Sequence, residues 1–379
     1  MTDATIETTN VVEREKAQYS KAQQADSPAA LLVHAARASG RSAFSVAMEA
    51  RRYRKSKAEI RLWEYVKFGL YDHARHTEKE RGEFISMMLQ NKCLHAVNDV
   101  SWFGVTEDKW NSSMFLDADG VPVPDTLGMI DASGRRYHGG KGIATPEDLK
   151  ALLTGGVDFP LFGKHNKGLG SVGVFIIDDA TADYILLRDV GEMSYSAFFR
   201  NVIGQDAFIL QRCVENCDFI RTFSRAAATV RMVNMIDGDG IYTPAAVLKL
   251  PAKGNPADNF WREGNLLANI DPETGEVLTL VGSDGPVLKS HDSHPDQGAA
   301  IIGQKLPHWD RLLEVNAHVA HLHAPLKYQS NDIAITNDGP VVIEVNAGSS
   351  FTLPQYASGK GFMTDRVRAL FKQHGADFL

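Results

Sequence analysis

Apolar residues recur at steps of three and four between about 29 and 97. Ile60, Trp63, Val66 and Leu70 form one such stripe, and Phe84, Met87 and Met88 begin another. A period near 3.6 predicts amphipathic helices, so 28–97 is expected to be a small helical domain. The residues before it are polar and poor in aromatics, which predicts a mobile tail over 1–27. Beyond about 98 the pattern changes to short valine- and isoleucine-rich runs between Gly- and Pro-rich turns, the mark of strands. Helical stretches return at Thr145–Leu153 and Asp310–His323. The larger part of the chain is therefore expected to be α+β, with no internal repeat and no low-complexity linker.

One apolar run contains residues that do not suit a core. VVIEVNAGSS, residues 341–350, reads as a buried strand, yet it carries Glu344 and Asn346. Residues two apart in a strand share a face, so these two project together. Upstream, Asn337, Asp338 and Gly339 suit a three-residue hairpin loop with Gly339 in the left-handed region. If Thr336 pairs with Pro340, Asp332 falls opposite Glu344. Two carboxylates and an amide on one face repel unless a cation sits among them. Asp332, Glu344 and Asn346 are thus candidate ligands of magnesium, which takes hard oxygens and few protein carboxylates. The alternative is an exposed hairpin whose acids face water.

Charge and cysteine content narrow the classes. A net charge of −7 over 379 residues gives no general attraction for nucleic acid or an anionic membrane. The basic run RRYRKSK, Arg51–Lys57, is read as a solvated helix end. Cys93, Cys213 and Cys217 lack disulfide-framework and zinc spacing and are expected to be reduced thiols. With no apolar signal core at its start and no long apolar run, the protein is expected to be cytoplasmic. His318, His321 and His323 are not four apart, which disfavours a shared helical metal site, and they are expected to lie at the surface or to support site residues from behind.

Magnesium on few carboxylates implies a phosphate ligand, and FPLFGKHNKGLGSVGVFIID, residues 159–178, offers donors. Gly168, Gly170 and Gly173 match GxGxxG, but a strand-like VFII follows where a dinucleotide site needs a helix. The segment is expected to be a glycine-rich hairpin, its backbone around Gly168, Gly170 and Ser171 bending over phosphates and Lys164 supplying a point charge.

These pieces together resemble the ATP-grasp superfamily. The resemblance rests on EDKWNSSMFLDADGVPVPDT with Lys109, Lys164 before its hairpin, AFILQRCVE at 207–215, and DIAIT with VVIEVN, over roughly 98–360. TVRMVN at 229–234, ADNFWREGN at 257–265 and EVNAGSSFTLPQ at 344–355 resemble the sugar-transfer associated ATP-grasp branch, close to α-L-glutamate ligase-related proteins. Relatives there tend to carry a double glycine where EGN stands. The resemblance implies two α+β subdomains clamping ATP, at 98–205 and 206–379, behind the helical domain. It places Lys109 and Lys164, each on an early strand, on the phosphates. Gln211, with the backbone of Arg212 and Val214, would hold adenine, and Asp218 the ribose. Arg231 would act with Lys164 in catalysis and touch the substrate. Lys249, Asp258, Asn259, Arg262 and Asn265 would line the substrate site, and two magnesium ions would accompany ATP.

The activity implied is an ATP-dependent carboxylate–amine ligation through an acyl phosphate, with a small-molecule acid and amine as partners. A kinase acting on a small molecule or sugar remains the alternative. A regulatory nucleotide-binding module would be expected to lack the metal ligands, which this chain retains.

Overall fold

The structure, a computed structural model, describes residues 11–22, 26–168 and 172–379. Its helices begin with α1 (Val11–Ala22), α2 (Pro28–Ser39), α3 (Ala43–Lys55), α4 (Leu62–Lys67), α5 (Glu78–Gly82), α6 (Gln90–Val97) and α7 (Phe103–Glu107). They continue with α8 (Lys109–Ala118), α9 (Pro146–Leu153), α10 (Tyr195–Phe198), α11 (Asp218–Arg221), α12 (Trp309–Leu322), α13 (Thr352–Ser358) and α14 (Asp365–Gln373). The chain divides into two compact units: α1 with residues 107–215, and residues up to 106 from α2 onward with 216–379.

The first unit is built on a seven-stranded sheet. Its strands are β1 (Thr126–Ile130), β2 (Gly142–Ile143), β3 (Leu161–His165), β4 (Val174–Ala180), β5 (Ile185–Leu187), β6 (Gly191–Met193) and β7 (Phe208–Arg212). They lie in the order β2-β1-β7-β3-β4-β5-β6, with only β1 and β2 parallel. The segment 159–178 forms the expected hairpin, β3 pairing with β4. Gly163 is required in β3, because a Cβ there would lie 2.1 Å from the Phe175 ring. Phe175, Phe198 and Phe208 pack below it with ring centroids 5.2 and 5.5 Å apart. Thr145 caps α9 in a capping box with Asp148, and Leu149 and Leu153 enter the core.

Two expectations are corrected here. Within the 1–27 tail, residues 11–22 form α1, which buries Val12 and Glu15. The Glu15 carboxylate accepts from the backbone N–H of Gly173 and of Val174, so the helix is held by satisfied hydrogen bonds as well as by Val12. Residues 1–10 and 23–25 lie outside the described residues. The subdomain boundary falls after 215 rather than 205, because FILQR is β7, inserted between β1 and β3 of this sheet.

The second unit carries a seven-stranded antiparallel sheet. Its strands are β8 (Thr229–Asp237), β9 (Gly240–Leu250), β10 (Leu266–Ile270), β11 (Val277–Asp284), β12 (Val287–Ser290), β13 (Tyr328–Thr336) and β14 (Gly339–Asn346). They lie in the order β12-β11-β10-β9-β8-β13-β14. Helix α12 packs against this sheet through polar as well as apolar residues: Asn316 exchanges side-chain hydrogen bonds of 2.8 and 2.9 Å with Asn234 and accepts another from Asn331. The Gln329 amide donates to three carbonyls, those of Ala320, His323 and Leu326.

The helical segment 28–97 has no separate core, a correction to the reading of it as a domain. Leu31, Val46, Tyr65 and Val66 share one cluster with Val247, Leu267 and Val281 of the sheet. Gln355 of α13 adds a polar link, exchanging two 2.9 Å hydrogen bonds with the backbone of Ile85. The apolar stripes are helical only in part: Trp63 and Val66 lie in α4 with Ile60 and Leu70 outside it, and Met87 and Met88 lie in a single 3₁₀ turn after Phe84. These helices pack on one another and on the sheet within that one cluster. His318 and His321 are exposed, whereas His323 is fully buried at the end of α12, with Nδ1 2.8 Å from the Val319 carbonyl.

Candidate functional site

In the first unit the lysines are placed by adjoining elements. Lys164 lies in β3 between Val174 and Ile209. Two residues on, Asn166 is buried and ties down the start of α8: its carbonyl accepts from Lys109 N at 3.1 Å and its side chain from Trp110 N at 3.0 Å. Lys109 is therefore on a helix, at its first position, and not on a strand as expected. Its Nζ donates to the Gly168 carbonyl at 2.8 Å. Asp108, which caps α8, is gripped by Arg135 at 2.7 Å; burial opposes its charge, but Arg135 and the Asn111 N–H hold its carboxyl below the usual range. Asp108 and Asn166 carry no family signature in the sequence, and only their contacts show that they position Lys109. A Cβ on Gly168 would sit 2.8 Å from the Val172 carbonyl, so that position needs glycine. Gly170 and Ser171 lie outside the described residues.

The residues expected to hold adenine and ribose differ in kind. Gln211 is buried in β7 and its Nε2 donates to Thr126 Oγ1 at 2.9 Å. The Arg212 N–H is already taken by the Asp125 carbonyl at 2.9 Å, and its side chain bridges Asp125 and Asp158, both at 2.9 Å. Val214 follows the strand and is half-buried. Asp218 belongs to the second unit, exposed at the start of α11, where Arg221 and Asn337 donate to its carboxylate.

The second unit gathers five ionisable side chains, four on its sheet and Asp258 on the 257–265 loop. Arg231 of β8 and Asp332 of β13 are cross-strand partners. Arg231 grips the carboxylate with both arms of its fork, Nε to Oδ1 at 2.8 Å and Nη2 to Oδ2 at 2.6 Å. Lys249 of β9 donates to the same Oδ2 at 3.1 Å and lies 3.2 Å from Asp258 Oδ2, which also accepts from Thr229. Glu344 of β14 is opposite Asp332 on the other side. Two cations thus face three carboxylates. Burial disfavours the Asp332 charge, but Arg231 and Lys249 together hold its carboxyl far below the usual range. Burial likewise opposes the Arg231 charge and is overcome by Asp332, with Glu344 and Asp258 adding to it, so its pKa is raised.

The Asp332–Glu344 pairing arises by a different route from the expected one. The turn has two residues, since Thr336 pairs with Gly339 and Ile335 with Pro340. A bulge then inserts Ile343 on β14 and restores Asp332 to a position opposite Glu344. Gly339 has a φ of +124°, a positive value as expected there.

The hairpin suits a hard cation in kind. The described residues contain no group of three or more His, Cys, Asp or Glu placed to hold a metal, so a cation here would rest on two carboxylates, an amide and outside ligands. Asp332 is largely spent: Oδ2 accepts twice and Oδ1 once, leaving about one of four acceptor positions, on Oδ1. Asn346 Nδ2 is buried without a hydrogen-bond partner among the described residues, and turning the amide over would present its oxygen there.

The 257–265 loop is organised from within. Asn265 is buried; it donates to the Ala257 and Asn259 carbonyls and accepts from Ala252 N and Asn255 Nδ2, so its side chain is used by the loop itself. Arg262 stacks over the Trp261 ring at 4.5 Å. Asn259 Oδ1 is buried without a hydrogen-bond partner among the described residues. No described helix is long and apolar enough to cross a membrane.

Several solved structures are similar at low identity. Biotin carboxylase from Campylobacter jejuni, in a β,γ-ATP complex, is 12% identical with a TM-score of 0.42, over 74% of this chain and 48% of that one. This chain thus spans about half the length of that protein. D-alanine–D-alanine ligase from Bacillus anthracis is 15% identical with a TM-score of 0.42, over 78% and 77%. N5-carboxyaminoimidazole synthase from Aspergillus clavatus is 8% identical with a TM-score of 0.37, over 76% and 58%. Such scores carry no argument about activity. No curated protein sequence matches the chain. A family model does: residues 89–370 match the one described as sugar-transfer associated ATP-grasp. That span takes in both sheets, both lysines and the charged hairpin, and the chain belongs to the sugar-transfer associated ATP-grasp family, an α+β ATP-grasp fold with a helical amino-terminal region.

Proposed function

We propose that the protein is an ATP-dependent carboxylate–amine ligase that forms an amide through an acyl phosphate and releases ADP and phosphate. The observation that carries this reading is the cluster on the second sheet, where Arg231 and Lys249 clamp Asp332 opposite Glu344. Its cations suit phosphoryl and carboxylate oxygens, and its acids suit the cation that accompanies a triphosphate.

The roles follow from the donors. Lys109 and Lys164 offset the charge of the phosphates, with Gly168, whose carbonyl accepts from Lys109, beside them. Gln211, Arg212 and Val214 border the base, Arg212 through groups other than its committed N–H, and Asp218 the ribose. Arg231 spends two of its five donors on Asp332 and offers others to the γ-phosphate and the acid. Magnesium, held by Asp332 Oδ1, Glu344 and Asn346, would supply screening of the phosphoryl charge. Lys249, Asp258, Asn259 and Arg262 line the acid and amine site, while Asn265 shapes the loop that bears them. Exclusion of water then protects the acyl phosphate until the amine displaces phosphate.

The test is a screen of amino acids, sugar acids and peptides for ADP release with magnesium, with product mass determined. Phosphate released only when both acid and amine are present supports ligation. A stable phosphorylated product without amine would instead make the protein a kinase, and no ADP with any acceptor would sink both.

A further inference from the structure

The basic run Arg51–Lys57 lines a cavity. Arg52, Tyr53 and Lys57 form one side of a space of about 470 Å³ in the second unit, with Glu78, Arg81 and Arg368 on the other sides. Basic residues at the end of α3 complement its dipole, which accounts for Arg52, Arg54 and Lys55. It does not account for Arg81 on α5 and Arg368 on α14, which reach the same cavity from two other helices.

Arg81 is only 7% exposed, and its Nε and Nη1 are buried without a hydrogen-bond partner among the described residues. Its Nη2 donates to Glu78 at 3.0 Å, and Nη1 lies 3.5 Å from Glu49. Glu49 is shared with Arg41, His73 and the Tyr65 hydroxyl, so it offers Arg81 little. The other cations are loosely held: Arg52 is 4.0 Å from Glu78, Lys57 3.3 Å from the Leu379 carbonyl, and Arg368 3.4 Å from the Gly82 carbonyl. Four cations thus line the cavity against one lining side-chain carboxylate, with the Leu379 main-chain oxygen taking up Lys57, and the most buried cation has orphan donors, an arrangement that an anion would complete.

We propose that this cavity binds the phosphoryl group of a small phosphorylated molecule. Three guanidinium groups and an ammonium supply more donors than a singly charged carboxylate can accept, whereas a phosphate monoester brings close to two charges and three terminal oxygens. The volume is more than ten times a water's share of about 30 Å³, so an organic body fits beside the phosphoryl group. The site does not depend on the nucleotide reading above.

Calorimetric titration of the whole protein with inorganic phosphate, glycerol 3-phosphate and acetate tests it. Both phosphoryl compounds should bind, and acetate should bind at least roughly tenfold more weakly. Arg81→Gln and Arg368→Gln should each weaken phosphoryl binding by about tenfold or more, while Lys164→Met leaves it unchanged. Arg368 is half-exposed, so its variant carries the test should the Arg81 variant fail to fold. Undiminished binding in Arg368→Gln, equal affinity for acetate, or loss in Lys164→Met would overturn the proposal. So would binding to phosphatidic acid vesicles without binding to free glycerol 3-phosphate.

Discussion

Arg231 and Asp332 stand opposite each other on neighbouring strands, and two hydrogen bonds of 2.8 and 2.6 Å lock the guanidinium flat against the carboxylate. With Lys249 on the same oxygen, the carboxylate balances two cations held out of water. Asp332→Asn should therefore lower stability by about 3–5 kcal/mol, as expected when one partner of a buried ion network is removed. Urea unfolding at pH 7 measures it, and a loss within experimental error would contradict the clamp.

The same pair sets an acid dependence. The folded Asp332 pKa lies far below the unfolded value of about 3.9, so the stability it contributes is complete above roughly pH 4 and is lost as the pH falls toward the folded value. The stability gap between the natural protein and Asp332→Asn should narrow progressively below about pH 4. A gap constant across that window would mean the carboxylate is not held in this way.

Glu344 is half-buried, and its removal relieves like-charge crowding opposite Asp332. Glu344→Ala should leave the fold intact and reduce magnesium-dependent ADP release by about 10²-fold or more, because the cation loses a ligand it cannot replace. Unaltered turnover would remove this residue from the metal set.

Gly163 precedes Lys164 in β3, and the Phe175 ring occupies the space a side chain would need. Gly163→Ala should cost about 1–3 kcal/mol by overpacking and lower turnover by shifting Lys164. Thermal unfolding and a rate assay read the two effects separately.

Lys67 donates to Ser283 Oγ at 2.7 Å and to the Gly285 carbonyl at 2.8 Å, yet burial pushes its pKa down to about 8. The unfolded lysine, near 10.4, then holds more protons than the folded one between about pH 8 and 10.4, so this group adds stability as the pH rises through that window. Reductively methylated protein should show one lysine titrating near pH 8 by NMR, a signal absent in Lys67→Gln.

Much of the fold was legible because it depends on local pattern. The apolar spacing of Trp63 and Val66 in α4, the Thr145 cap before α9 and the valine- and isoleucine-rich runs of β13 and β14 each lie within a few residues of one another. The site was legible in part for the same reason: Glu344 and Asn346 are conspicuous in an apolar run, and a short hairpin limits where Asp332 can fall. The bulge at Ile343 was not legible, and the pairing was anticipated only because a shorter turn and an inserted residue compensate.

By itself the sequence determined that a helical stretch precedes a strand-rich remainder, that acids and an amide sit in the last hairpin, and which family the motifs resemble, since all of these follow from neighbours along the chain. The tertiary structure alone decided that the helices of 28–97 share their core with the second sheet and that α1 docks on the hairpin backbone through Glu15. It also decided that Arg231 and Lys249 meet on Asp332 and that Arg81 and Arg368 face the basic run. Each of these joins residues tens to hundreds of positions apart, and such contacts are fixed by packing and charge balance, for which no local spacing rule exists.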